Sequence, residues 1–181
     1  MIVKKLYNSK ILKKLHNLKN NLFVEIYESE ILLYKIEYDE IINNYVKNEI
    51  KNQKFLFIIF DSEILNNNLI LLTSIGLILL KLINDNNFTI ISKDIFNINS
   101  ELKDKFMNIK IIKNFNIFYI FSNTNLLCIY KIENEKIIKL KNIILKNYIR
   151  NINLFEYKNN FLIFSILEQN NIYYNIENFY F

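Results

Sequence analysis

The chain has 181 residues, 51% of them hydrophobic and 15% aromatic, with a formal charge of +5. Those totals exclude a disordered polyelectrolyte, which is poorer in both classes, and supply enough apolar surface for one packed core. A single glycine, a single cysteine, a single histidine and no proline or tryptophan exclude glycine-loop nucleotide sites, an internal disulfide and the usual Cys/His zinc site.

Alanine is also missing, and isoleucine, asparagine, lysine, leucine, phenylalanine and tyrosine take the vacated places. That substitution pattern is most simply a nucleotide bias. Asparagine abundance therefore marks turns, because Asn tolerates a left-handed backbone where Gly is not available.

Residues 1–20 carry Lys4, Lys5, Lys10, Lys13, Lys14 and Lys19 and no acid. On a helical wheel Ile11, Leu12, Leu15 and Leu18 share one arc, opposite Lys10, Lys13, Lys14 and Asn17. The spacing predicts a short amphipathic helix with a cationic face. We expect 1–20 to be a basic N-terminal segment and 21–181 a single β-rich domain. The segment is also compatible with a mitochondrial presequence, though Arg and Ser are scarce in it. His16 lies among lysines, which disfavour its protonation, and is expected to be a polar helix residue.

Beyond residue 20 the pattern changes to short apolar runs, and similar stretches recur at 22–42, 69–91, 117–140 and 161–181. Each holds a β-rich segment, a polar turn, a second strand (ILLYKI, LILLKL, CIYKI or IYYNI), an Asn-containing or acidic turn and a last apolar piece. Anchors at Tyr34, Leu80, Tyr130 and Tyr174 are spaced by 46, 50 and 44 residues. A period of that length with several strands per unit marks a β array. The expected fold is mostly β, a propeller-like or barrel-like antiparallel meander of about four hairpin units, with a sandwich or a mixed α+β fold as alternatives. Segments 43–54 and 101–113 read equally well as helix or charged strand.

Leu69–Leu72 and Leu77–Leu80 are apolar on both faces, so both faces should be covered. Gly76 suits the turn of that hairpin. Cys128, inside LLCIY, is expected to be a small buried hydrophobe. Close carboxylates occur at Glu28/Glu30, Asp39/Glu40, Asp61/Glu63 and Glu133/Glu135, and are expected to be solvated rather than catalytic.

The strand and turn rhythm of residues 22–181 resembles that of WD40-like β-propeller proteins. The family's Gly-His and Trp-Asp pairs are absent; Tyr34-Lys35, Leu80-Lys81, Tyr130-Lys131 and Tyr174-Asn175 stand before the third turn. In size, charge and composition the chain is also similar to the ribosome dormancy factors of very AT-rich, compacted genomes such as those of microsporidia.

Charge is segmental: basic over 1–20, acidic over 21–100 and basic again over 101–150. Two basic clusters suit phosphate contact without base readout. The expected phosphate-binding residues are Lys4, Lys5, Lys10, Lys13, Lys14, Lys19, Lys103, Lys105, Lys110, Lys113, Lys136, Lys139, Lys141, Lys146 and Arg150. The expected function is non-enzymatic docking on a ribonucleoprotein, foremost the ribosome, through rRNA and ribosomal proteins, with a dormancy role by the resemblance just given. The alternative is a WD40-like protein-interaction scaffold with protein partners only; a peripheral membrane protein anchored by the basic segment is a third reading. No cofactor, disulfide-linked partner or membrane span is expected, and the expected location is cytoplasmic.

Overall fold

Asparagine makes the turns. In the computed structural model, which describes residues 10–83, 86–95, 106–112, 116–122, 126–144, 152–157, 161–168 and 171–178, positive φ occurs at Asn20, Asn21, Asn43, Asn66, Asn67, Asn116, Asn134 and Glu135. The pairs Asn66-Asn67 and Asn134-Glu135 form two-residue turns whose left-handed backbone matches the twist of the strands they join. Gly76, with φ 139°, opens the strand that follows the Ser74-Ile75 turn.

Between these turns the β-branched and aromatic runs pair antiparallel in chain order. Sheet I comprises β1 (Lys14–Asn17), β2 (Leu22–Ile26), β3 (Glu30–Asp39) and β4 (Asn44–Lys54). Sheet II comprises β5 (Ile59–Leu65), β6 (Asn68–Thr73), β7 (Gly76–Ile83) and β8 (Asn87–Ile95). Sheet III comprises β9 (Phe106–Ile112), β10 (Ile117–Ser122), β11 (Leu126–Glu133) and β12 (Lys136–Ile144). Sheet IV comprises β13 (Ile152–Tyr157), β14 (Phe161–Glu168) and β15 (Asn171–Asn178).

The four repeat anchors, Tyr34, Leu80, Tyr130 and Tyr174, all fall on the third strand of their sheets. The pairing register slips just before three of them, at Leu33/Tyr34, Leu79/Leu80 and Ile129/Tyr130. In each case the fourth strand carries the extra residue: Ile50, Ile91 or Leu140. A bulge adds local twist and bends its strand, so sheets I to III are distorted alike at equivalent places.

The sheets pack face to face. Leu22, Val24 and Ile26 of β2 and Ile31 and Leu33 of β3 meet Leu69, Leu71, Ile78 and Leu80 of sheet II. The opposite face of sheet II, with Ile70, Leu72, Leu77 and Leu79, meets Phe118, Ile120, Cys128 and Tyr130 of sheet III. The double-sided apolar hairpin is thus covered on both faces. Side chains alternate across the pleat, so one run of consecutive leucines and isoleucines serves two cores. Each such residue contributes about 2 kcal/mol relative to an exposed one. Along one edge of the stack the first strands meet, β1 against β5 and β5 against β9; along the other, β8 meets β12.

Several expectations need correction. The predicted helix at the basic segment is chain without regular secondary structure over Lys10–Lys13 and strand β1 over Lys14–Asn17. Its wheel fails because the burial is two-residue: Leu15 is 51% exposed while His16 is buried. Four leucine-like positions cannot distinguish the two periods, and pairing with β2 decides between them. The barrel-like alternative also falls, since each sheet is open with two edges. No helix occurs among the described residues, which removes the mixed α+β alternative there. Segment 43–54 lies almost wholly in β4, and Phe106–Ile112 of the second ambiguous segment is β9. No helix among the described residues is long and apolar enough to cross a membrane.

Candidate functional site

The densest polar cluster sits where the first strands of sheets I and II meet. Residues two apart on a strand face the same way, so Lys14 and His16 of β1 point together towards Asp61, Ser62 and Glu63 of β5. Lys14 Nζ donates to Asp61 Oδ1 at 3.0 Å, to Glu63 Oε1 at 2.7 Å and to the Ser62 carbonyl at 2.5 Å. His16 Nε2 and the Ser62 hydroxyl share a hydrogen bond of 2.8 Å. Nearby, Lys13 Nζ donates to the Ile59 carbonyl at 2.6 Å.

Burial, reinforced by the Lys14 ammonium, holds the His16 imidazole below its ordinary value, while Glu63 and Asp61 pull weakly the other way. The sequence expectation of a depressed value holds, with desolvation rather than the lysines as the main cause. A serine hydroxyl on a neutral imidazole is the pairing of a nucleophile with its base. Here Ser62 is 0% and His16 8% exposed, so both groups are buried. What the arrangement accomplishes is to lace two sheets together with satisfied polar groups at an edge of the apolar core.

In the other carboxylate pairs Glu30, Asp39, Glu133 and Glu135 are engaged. Glu30 is buried and pairs with Lys10. Asp39 Oδ1 accepts from the amides of Ile41 and Ile42 and fixes the β3–β4 turn. Glu135 pairs with Lys81 across sheets II and III, and Glu133 lies 3.5 Å from Lys131. Among the described residues no group of His, Cys, Asp and Glu could hold a metal ion. Cys128 is buried, and burial pushes its thiol up to about 11, which leaves it protonated and unreactive.

The expected phosphate-binding residues separate by location. Lys10, Lys13 and Lys14 donate to protein acceptors, and Lys10 and Lys13, like Lys19 at the β1–β2 turn, are exposed. Lys136, Lys139 and Lys141 are exposed on β12, the fourth strand of sheet III, so they occupy the opposite edge of the stack from β1. Among the described residues, these three lysines of β12 therefore stand away from those of β1. Lys110 lies on β9. Lys4, Lys5, Lys103, Lys105, Lys113, Lys146 and Arg150 lie outside the described residues. Lysine on a fourth strand has a plain physical use, because it discourages strand addition at a free sheet edge.

A cleft of about 390 Å³ beside the β2–β3 turn is lined by Lys10, Ile11, Lys13, Tyr27, Glu28, Ser29 and Glu30. Burial and the hydrogen bond to Glu25 push the Tyr27 hydroxyl up to about 12. The sequence reading missed Asp61, Ser62 and Glu63 as partners of Lys14 and His16. The available signal was the shared two-residue alternation of Lys-Leu-His and Asp-Ser-Glu. No protein-family model matches the chain, and no curated protein sequence matches it.

Proposed function

We propose that the chain is a non-enzymatic, propeller-like scaffold that holds protein partners. The carrying observation is the serial stack: three four-stranded sheets in chain order, anchored on the third strand, bulged alike and packed through both faces of sheet II. Such a body presents strand edges and two loop-bearing ends as usable surface. Within the polar cluster that most resembles an active site, the His16 and Ser62 pair is buried. Two of the N-terminal lysines are already neutralised by acids of the same chain, which lowers their value for an external polyanion.

Docking on a ribonucleoprotein is the second reading, favoured by the exposed lysines of β12. The two differ in salt and nuclease response. Native lysate is sedimented with and without RNase, and at low and raised salt. A protein scaffold stays in a fast-sedimenting complex after RNase and loses little with salt. Release by RNase, with steep salt dependence that weakens in a Lys136→Gln/Lys139→Gln variant, overturns the scaffold reading in favour of the second.

A further inference from the structure

The two ends of the sheet stack differ in chemistry. One end carries the asparagine turns after β1, β5 and β11. The other carries the connectors after β4 and β6 and the end of β8, and there Leu56, Ile58, Ile75 and Ile95 are exposed, beside Glu28 and Ser29 of the β2–β3 turn. Ile58 precedes β5, Ile75 lies between β6 and β7, and Ile95 pairs with Gly76 at the end of β8. The row therefore crosses the whole width of sheet II. Three strand spacings make it on the order of 14 Å long, the length of about ten residues of helix.

This row is held in place. The Phe55 amide donates to the Ser29 carbonyl at 2.8 Å, the Ile59 amide to the Glu28 carbonyl at 2.7 Å and the Ser74 amide to the Ile58 carbonyl at 2.9 Å. The Ile58 amide donates to Ser74 Oγ at 3.2 Å, tying the connectors to each other. Phe55 and Phe57 stack beneath with centroids 4.8 Å apart. Rigid exposed apolar groups lose little entropy when a partner covers them. Lys54 and Lys93 flank the row, both exposed and without an ion pair among the described residues. By comparison, Ile41 and Ile42 are exposed at the tip of a single hairpin.

We propose that the row Leu56, Ile58, Ile75 and Ile95, bordered by Lys54 and Lys93, docks an acidic amphipathic helical segment of a protein partner. The apolar stripe of such a helix, spaced at i, i+4 and i+7, covers the row, and acids beside the stripe meet the two lysines. This inference rests on the scaffold reading and names its partner class.

The test uses the full chain and a fluorescein-labelled synthetic peptide of about 14 residues. The peptide has leucine on one helical stripe and glutamate beside it. A scrambled peptide and one with lysine in place of glutamate are the controls. Fluorescence anisotropy is expected to show saturable binding of the acidic peptide and at least about tenfold weaker binding of both controls. Leu56→Asp/Ile75→Asp is expected to weaken binding at least about tenfold, and Lys54→Glu/Lys93→Glu to shift preference to the lysine peptide. Ile41→Asp/Ile42→Asp, at the other end, is expected to leave binding unchanged.

No binding, or equal binding to Leu56→Asp/Ile75→Asp, overturns the proposal. So does self-association in analytical ultracentrifugation that disappears in that variant, because a second copy is then the occupant. The scaffold reading is scored separately by sedimentation. A complex that survives RNase and keeps its size in Leu56→Asp/Ile75→Asp rejects the row and leaves the scaffold standing. A chain that sediments alone rejects the scaffold.

Discussion

At the scale of single residues, His16 is the group whose placement has the clearest thermodynamic consequence. Its folded value lies below the ordinary 6.5 because burial penalises the charged ring and Lys14 repels it. The unfolded chain therefore takes up this proton first as pH falls. The stability tied to a neutral His16 is fully present above 6.5 and is lost as pH drops through the folded value. Each pH unit in that interval removes at most about 1.4 kcal/mol. Urea denaturation of the native chain between about pH 7.5 and pH 5.5 is expected to show this fall, and His16→Gln to flatten it. Gln keeps a polar atom within reach of the Ser62 hydroxyl but has no proton to gain. An equal slope in both proteins assigns the pH dependence to the carboxylates instead.

At the scale of elements, turn chemistry decides where strands begin and end. Asn66 and Asn67, with φ of 51° and 62°, hold the β5–β6 turn in a conformation that β-branched residues resist. Asn67→Val is expected to cost about 1–2 kcal/mol, and Asn67→Gly to be tolerated, in chemical denaturation. These turns were legible in sequence because asparagine had replaced glycine throughout. The strands after them were legible as well, and the repeat anchors fall on the third strand of each sheet. The first strands were not. Lys14–Asn17 is only four residues long, and its apolar and basic positions fit a helical wheel as well as a pleat. Its identity as β1 comes from β2 on one side and the acids of β5 on the other, information that lies outside the segment. The same ambiguity hid the site: Lys14 reads as a free cation until Asp61 and Glu63 are brought beside it.

At the scale of the whole molecule, the order of burial sets the order of stability. Sheet II is apolar on both faces and enclosed by sheets I and III, whereas β4 at the edge of sheet I is mostly exposed. Amides of β6 and β7 are expected to exchange only through global unfolding, and those of β4 through local opening. Native-state hydrogen exchange read by mass spectrometry checks that ranking. A mutation gives a sharper version. Leu72 belongs to the core shared with sheet III, not to the one shared with sheet I. Leu72→Ala removes about 2–5 kcal/mol of packing. Where the stack unfolds as one unit, protection falls equally in β2, β6 and β10. Where the sheets open serially, as in a repeat array, the loss concentrates in β10 and β11 and spares β2 and β3. The second outcome is the expected one, since the two cores meet only through the backbone of sheet II. It would leave the connector row, borne by sheet II and its junction with sheet I, in place while sheet III loosens.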